Sequence, residues 1–337
     1  MSHQFDVHGL TLLIDCDVVE IVAALSARLR LFQSSDTSDP DITVVVHEVP
    51  PGDDHRLHRP DGNARSIYNL SGGDISYVVG QDMLFLDFGP YLRATCDISR
   101  GILNISAYSP ASRLAWLISH LLFSISLVEI MKRRGLYSIH AAGLALHGQG
   151  VILAGTSGVG KSTLAIALLR AGFQYLGDDT LFLAPAAGGL RVLAFPDELD
   201  VTRHTAELFP ELGHLRATPM PSHFPKYPVW PEQVFDLALA WECRPSILIL
   251  PSITEAEVSV ITPLTPDQAL IELAPNVLLT DAPSAQAHLE SLATLVRMSA
   301  CFRLATGRNL DIVPGLIGSL VERVARGSPG HTIRRHA

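Results

Sequence analysis

The sequence predicts an α/β protein in which a β-rich N-terminal domain precedes a core built around a phosphate-binding loop. Three observations carry this. Short apolar runs punctuated by turn residues fill the first third of the 337 residues. An apolar run, Val151-Ile152-Leu153-Ala154, leads into Gly155-Thr156-Ser157-Gly158-Val159-Gly160-Lys161-Ser162, which fits G-x-x-x-x-G-K-[ST]. An Asp178-Asp179 pair follows seventeen residues after that lysine. The expected organisation is a β-rich domain over 1–109, a connecting helix over 110–134, a phosphate-loop domain over 135–326 and a flexible tail over 327–337.

In the N-terminal part the strand candidates are Thr11 to Ile14, Ile42 to Val46, Ser66 to Leu70, Ile75 to Val79, Met83 to Phe88, Leu92 to Cys96 and Ile102 to Ala107. Gly72-Gly73, Gly80-Gln81-Asp82 and Ser99-Arg100-Gly101 separate several of them as turns. Val18 to Phe32 breaks the series as an amphipathic helix, and Ser34 to Asp41 and Pro50 to Arg65 read as polar loops. No chemical constellation marks this half, so substrate binding, regulation and subunit contact all stay open for it. Asp6 and His8 interrupt any apolar core near the start, so no secretory signal is expected.

Leu114 to Met131 is rich in Leu, Ile and Phe, and the chain's mean hydropathy is positive. The segment barely reaches membrane-spanning length and contains Ser119, His120, Ser124, Ser126 and Glu129. A buried helix is expected, with no membrane partner. Its apolar girth suits packing on both domains or on a second subunit, which makes a homo-oligomer compatible with the sequence.

Ala141 to Leu146 and Val151 to Gly155 read as a hairpin closed by His147-Gly148-Gln149-Gly150. If Leu146 pairs with Val151, the register carries His140 opposite Ser157, inside the phosphate loop. An imidazole there can bond a phosphate oxygen or orient an aspartate.

The loop itself stands in the required order of strand, glycine-rich turn and helix. Lys161 to Ala171 reads as a helix with Leu164, Ala167 and Leu168 on one side and Gly172 as its C-terminal stop. The N–H groups of Ser157, Gly158, Val159, Gly160, Lys161 and Ser162 can cradle phosphates, aided by the helix dipole. Lys161 would reach the β- and γ-phosphates and the Ser162 hydroxyl would ligate Mg2+.

The apolar and aromatic residues flanking Asp178-Asp179 suggest a strand broken at the aspartates. Two carboxylates in such a setting are costly without a cation or partner. Because strand neighbours face opposite sides, the two cannot do the same job. One can hold Mg2+, and the other can accept a proton from an attacking hydroxyl.

At this point the sequence resembles a family. His140, the GTSGVGKS loop and the FQYLGDDTLFL segment resemble the kinase domain of HPr kinase/phosphorylase, a bacterial protein-serine kinase that shares its core with phosphoenolpyruvate carboxykinase. The resemblance covers about Ser138 to Leu183. It implies an HPr kinase/phosphoenolpyruvate carboxykinase type of fold and ATP as phosphoryl donor with Mg2+. By matched position it implies Asp179 as base toward the acceptor serine, Asp178 as metal-side carboxylate, His140 as their support and Lys161 on the phosphates. The nucleotide site it implies runs from Gly155 through Thr156, Ser157, Gly158, Val159, Gly160, Lys161 and Ser162 to Thr163. Two departures are visible: Thr163 stands where HPr kinases carry glutamate, and no Arg-Gly-Leu-Gly stretch follows. Phe195-Pro196, Glu207 to Leu212, His223 to Pro228 and Leu264 to Leu270 resemble instead the HPr-kinase-related proteins of peptide-biosynthesis clusters, lasso-peptide clusters among them. Some of these phosphorylate a precursor peptide at its C-terminal serine, which implies a peptide or protein partner bearing a serine.

Downstream, Pro196 to Trp241 reads as an irregular, proline-rich stretch long enough to cover an active site or form an acceptor groove. Lys226, Arg203 and Arg244 are candidate cations for transferring phosphoryl charge, each weighed against a solvated surface role. Ser246 to Pro251 reads as a core strand, Thr265-Pro266-Asp267-Gln268 as a capping box, and Ala285 to Met298 and Pro314 to Arg326 as amphipathic helices.

A net charge of −9 argues against bulk attraction to nucleic acid. Cys16, Cys96, Cys243 and Cys301 are widely spaced and form no C-x-x-C pair, so reduced thiols in a cytoplasmic protein are expected rather than a zinc site or disulfides. Two other functional classes compete with peptide or protein serine kinase. Small-molecule phosphate-loop kinases usually begin near their loop, whereas roughly 150 residues precede this one. A nucleotide-gated ATPase would place its second acidic motif beyond further intervening elements, whereas here the acids follow the first helix directly.

Overall fold

The computed structural model describes residues 3–34, 38–50, 64–70, 73–80, 82–108, 110–220, 225–236, 238–277 and 282–326. Most of the expected Pro50 to Arg65 loop, part of the Ser34 to Asp41 loop, parts of the two glycine turns at 72 and 81, His223-Phe224 and the tail from 327 lie outside these residues. The chain divides into two compact units, Met1–Arg134 and Gly135–Ala337. The helix anticipated as a separate connector over 110–134 groups with the first unit.

The first unit begins with β1 (His3–Val7), β2 (Leu10–Cys16), α1 (Val19–Arg28) and β3 (Ile42–Glu48). It continues with β4 (Arg65–Leu70), β5 (Gly73–Gly80), β6 (Met83–Phe88), β7 (Leu92–Asp97) and β8 (Ile102–Ala107). Among the described residues these form one eight-stranded sheet in the order β1-β2-β3-β8-β7-β6-β5-β4. Period-2 alternation explains it: in β6, β7 and β8 every second residue is buried. β1, five residues long, escaped the sequence reading because the turn that closes it is not an evident hairpin signal. That turn, His8-Gly9, has φ of 57° and 82° and joins β1 to β2 as a two-residue hairpin connection.

The apolar segment after β8 winds as a 3-10 turn at Ala111–Leu114, a π-helical stretch at Leu117–Leu122 and then α2 (Phe123–Arg133). Several of its polar groups find partners inside the unit, although the buried Ser126 hydroxyl and one Glu129 oxygen have no hydrogen bond of normal geometry. Arg28 of α1 donates to the Ser119 carbonyl and the Ser124 hydroxyl, both at 2.6 Å. Glu129 pairs with Lys132 at 2.7 Å, each side chain 1% exposed. Among the described residues no helix is long and apolar enough to cross a membrane.

The second unit contains β9 (Tyr137–Ile139), β10 (Ala141–Leu146), β11 (Gln149–Ala154), α3 (Lys161–Arg170), β12 (Gln174–Gly177), β13 (Leu181–Ala186) and β14 (Gly189–Leu193). Then come β15 (Leu199–Val201), α4 (Arg203–Leu208), β16 (Tyr227–Val229), β17 (Glu242–Ile253), β18 (Val260–Pro263), α5 (Pro266–Leu273), α6 (Ala282–Met298), β19 (Ala300–Thr306) and α7 (Val313–Ala325). Its large sheet runs β12-β10-β11-β17-β14-β13-β9, with β19 and β18 continuing from β17. The glycine-rich loop therefore leaves a central strand, β11, which β17 flanks in parallel.

α3 is buried on nearly all sides, not on one face as its sequence suggested: every residue from Leu164 to Leu169 is 6% exposed or less. The sheet covers one side. Leu199, Val201, Phe209, Leu212, Leu215 and Tyr227 cover another as part of the same core. Among the described residues, the stretch from Pro196 to Trp241 thus contributes a layer packed on α3. It owes its irregular sequence to prolines that start short 3-10 turns at Pro210–Ala217 and Pro231–Gln233. α3 ends as expected. Gly172, at φ 86°, follows the last turn, its N–H bonds the Leu169 carbonyl and that of Phe173 bonds Leu168. α5 opens with the expected capping box of Thr265 and Gln268.

Candidate active site

The site forms where three chain passages meet. The first is the loop between β11 and α3. Gly158 and Gly160 hold φ of 89° and 95°, and Gly160 is the N-cap of α3. The first intrahelical bond runs from the Leu164 N–H to the Gly160 carbonyl, so the N–H groups of Lys161, Ser162 and Thr163 have no partner within the helix. Thr156, Ser157 and Gly158 are exposed, and the loop opens to solvent.

The second passage is the break between β12 and β13, which falls at the aspartates. Gly177 sits against the carbonyl oxygen of Phe195, which a Cβ would approach to 2.6 Å, so only glycine fits there. Beyond it the two acids part company. Asp178 is 1% exposed, whereas the Asp179 side chain is 53% exposed. Neither carboxylate oxygen of Asp178 has a hydrogen bond of normal geometry. Burial, and next to it the charge of Asp179, push its carboxyl up to about 7, while the nearby Ser162 hydroxyl favours the ionised form.

The third passage is the junction of β9 and β10, which carries His140. The hairpin is tighter than anticipated: Leu146 pairs with Gln149, not Val151, and the turn is His147-Gly148 alone, at φ 51° and 74°. Extended by one residue, the observed register puts His140 opposite Gly155 rather than Ser157. The displacement is an even number of residues, so the face is kept. A second register fixes His140 from the other side. Ile139 pairs with Leu181, which brings the next residue toward the acid pair.

These passages converge on Lys161. Its ammonium donates to the carbonyls of Gly155 at 2.8 Å and Thr156 at 3.3 Å, and lies 3.0 Å from Nε2 of His140. Nδ1 of His140 lies 3.0 Å from the Asp179 carbonyl oxygen and 3.6 Å from its carboxylate. A neutral ring with its proton on Nδ1 satisfies both contacts, donating to the carbonyl and accepting from Lys161. Burial lowers the pKa of His140 against the pull of Asp179, and the Lys161 charge adds to the lowering. Burial likewise lowers Lys161, opposed by Asp179 and Asp178.

His140, Lys161, Ser162, Asp178 and Asp179 are therefore brought together. Thr163 is not: its hydroxyl contacts that of Thr205 at 2.9 Å, which leaves only its backbone N–H toward the loop. Arg203 bonds the Tyr227 hydroxyl at 3.4 Å. Arg244 lies opposite Gln149, at the other end of β11 from the loop, roughly 15–20 Å away along the strand. Lys226 stands close by, paired with Asp200 at 3.4 Å. Asp200 was missed by the sequence reading, where it is one of three acids in Asp197-Glu198-Leu199-Asp200 and nothing local singles it out. Tyr175 was missed as well. Its hydroxyl donates to the Asp197 carbonyl at 3.0 Å, and burial, with Asp178 next, raises its pKa well above the usual value.

Asp178 and Ser162 suit a hard divalent cation. A buried carboxylate with both oxygens orphaned, beside a hydroxyl, offers two oxygen ligands, and Mg2+ commonly takes only one or two protein ligands beside phosphates and water. Among the described residues no group of three or more His, Cys, Asp or Glu could hold a metal without such additional ligands.

No family model matches the chain, and no curated protein matches it. Among solved structures, the Hpr(Ser) kinase/phosphatase from Coxiella burnetii is similar over 57% of this chain and 99% of that one, at 16% identity and a TM-score of 0.30. A likeness at that level carries no argument about the site, which stands on its own geometry.

Proposed function

We propose that the chain is an ATP-dependent phosphotransferase that moves a γ-phosphoryl group to the hydroxyl of a serine in a peptide or protein. The observation that carries this reading is the division of labour within the acid pair. One carboxylate is buried and orphaned beside Ser162 at the start of α3, and its neighbour is exposed and tied through His140 to Lys161. The first environment suits a cation beside the phosphates, and the second suits a base toward an attacking hydroxyl.

The residues divide as follows. The N–H groups of the loop and of the first turn of α3 hold the triphosphate. Lys161 leaves the Gly155 and Thr156 carbonyls for the phosphates, whose charge is the stronger acceptor. Asp178 and Ser162 hold Mg2+, which when bound neutralises charge on the β- and γ-phosphates. Asp179, half exposed, accepts the proton of the attacking hydroxyl. His140 fixes the position of Asp179 through its backbone carbonyl and of Lys161 through Nε2.

A short precursor peptide, such as a lasso-peptide precursor, is the acceptor class that the segments downstream of the acids favour by resemblance. Incubation of the protein with Mg-ATP and serine-bearing peptides, followed by mass spectrometry, tests the reading. Phosphoserine on a peptide, absent without the protein, supports it. Conversion of ATP with every peptide left unmodified would leave water or a small molecule as the acceptor.

A further inference from the structure

The two-stranded sheet of β15 and β16 brings Asp200 and Lys226 together beside the site. The Lys226 ammonium stands 3.4 Å from the Asp200 carboxylate, with the side chains 25% and 19% exposed. The pairing of Asp200 with Pro228 and of Val201 with Tyr227 sets this meeting.

Contacts on both sides of Asp200 fasten the segment to the nucleotide core. Upstream, the Tyr175 hydroxyl holds the Asp197 carbonyl, and Tyr175 lies three residues before Asp178. Downstream, the Thr202 hydroxyl caps α4 by accepting from the Thr205 N–H. The hydroxyls of Thr202, Thr205 and Thr163 then form a chain of 2.9 Å contacts to the first turn of α3. The pair is thus anchored to the acid passage and to the helix that begins the loop site.

Its charges reach the same groups. Lys226 disfavours protonation of both His140 and Lys161. Asp200 and Asp179 each raise the pKa of a partner in the cluster, Asp178 and Asp200 respectively. A solvated surface pair would contribute little and would not be held so. An ammonium carries three donors, so pairing with Asp200 is compatible with donating to a phosphoryl oxygen.

We propose that Lys226 is a second phosphoryl-binding cation of this site, a catalytic residue acting alongside Lys161, and that Asp200 is the residue that positions it. This rests on the phosphotransfer reading above. In the step it serves, the acceptor oxygen bonds the γ-phosphorus as the bond from phosphorus to the β,γ-bridging oxygen breaks. The hydroxyl proton passes to Asp179, and the electron pair of the broken bond stays with the departing diphosphate. Lys226 donates to the oxygens of the group in flight, where charge is greatest in the transition state.

The test uses the full chain with Mg-ATP and water as acceptor, reading phosphate release, Mg-ATP affinity and thermal unfolding together. Lys226→Met should lower kcat by about 100-fold, with KM and Kd for Mg-ATP changed by no more than about threefold. Lys226→Arg should restore most of that loss. Asp200→Asn should cost about three- to tenfold, and the double variant should be no slower than Lys226→Met alone, since the two act as a unit. Full kcat in Lys226→Met would overturn the inference, as would a loss equally deep in Lys226→Arg at unchanged unfolding temperature. If Lys226→Met does not fold, the Arg and Asn variants decide by the same criteria. Wild-type protein that neither binds nor turns over Mg-ATP would remove the phosphotransfer reading too, whereas wild-type turnover indifferent to Lys226 would remove this inference alone.

Discussion

The Lys161 ammonium rests 3.0 Å from Nε2 of His140 while also bonding the loop's own carbonyls at Gly155 and Thr156. The lysine is held inside its loop by groups that are weaker acceptors than a triphosphate. Lys161→Ala should therefore lower Mg-ATP turnover by about 10²–10³-fold, measured as phosphate release. An unchanged rate would remove the loop from the chemistry.

His140 works in its neutral form, because a protonated ring has no lone pair for Lys161. Its pKa lies below the ordinary 6.5, chiefly through burial, so the contact is intact at neutral pH and fails as pH falls through that lowered value. kcat/KM of the wild type should drop on the acid side, and His140→Ala should cost about three- to tenfold at pH 7 while flattening that limb. A pH profile identical to wild type would reduce His140 to a structural residue.

The acids should separate by function. Asp179→Asn should keep Mg-ATP binding and slow transfer by about 10²–10⁴-fold, the range for a lost general base. Asp178→Asn should weaken Mg-dependent nucleotide binding. It should also stabilise the protein without metal or nucleotide by about 1–2 kcal/mol, since it removes a buried charge whose oxygens have no hydrogen bonds. Titration calorimetry and thermal unfolding check the two halves. The reverse pattern would exchange the roles.

Asp200 gives a stability prediction with a definite sign. Burial first, then Asp179, push its carboxyl up to about 6, against the pull of Lys226. A carboxylate whose folded pKa is raised binds its proton more tightly in the native state. Its contribution favours folding below its ordinary pKa and is lost as pH rises through the window up to about 6. Replacing it by Asn should make the fall in unfolding free energy from about pH 4 to pH 6 shallower by about 1–3 kcal/mol. Denaturant titrations across that range measure it, and an unaltered slope would show that Asp200 does not titrate there.

All four cysteines are buried and unpaired by disulfide. Burial raises each thiol: Cys96 and Cys243 to about 12, Cys301 to about 11, and Cys16 upward as well. At pH 8 a thiol reagent should label the native protein slowly and all four sites rapidly in denaturant. Fast labelling of one native thiol would show that its neighbourhood opens.

Much of this was legible in the chain because it is local. The strand-loop-helix order around Gly155 to Lys161, the break at Asp178 and the stop at Gly172 all depend on near neighbours. The hairpin register did not come through, because His147-Gly148 is a two-residue turn in which histidine takes positive φ. The same dipeptide closes β1 onto β2 at His8-Gly9, so the two errors share one cause: His-Gly reads less plainly than Asn-Gly as a hairpin turn. The all-round burial of α3 and the nearness of Lys226 depend on β15 and β16, three residues each, too short to show a period. What Asp200 meets is decided by a partner strand 26 residues on, a distance over which sequence pattern says nothing of contact.

The central claim is that a triphosphate seats at the start of α3 with the buried acid on its metal and the exposed acid on its acceptor side. A crystal structure of the full chain with Mg2+ and a non-hydrolysable ATP analogue tests this most directly. The account predicts phosphates against the N–H groups of Gly158 to Ser162, Lys161 turned from the Gly155 carbonyl onto them, the cation between Ser162 and Asp178, and Asp179 facing the γ-phosphate. An analogue bound elsewhere, or bound here with Asp178 and Asp179 both turned away from it, would contradict the account.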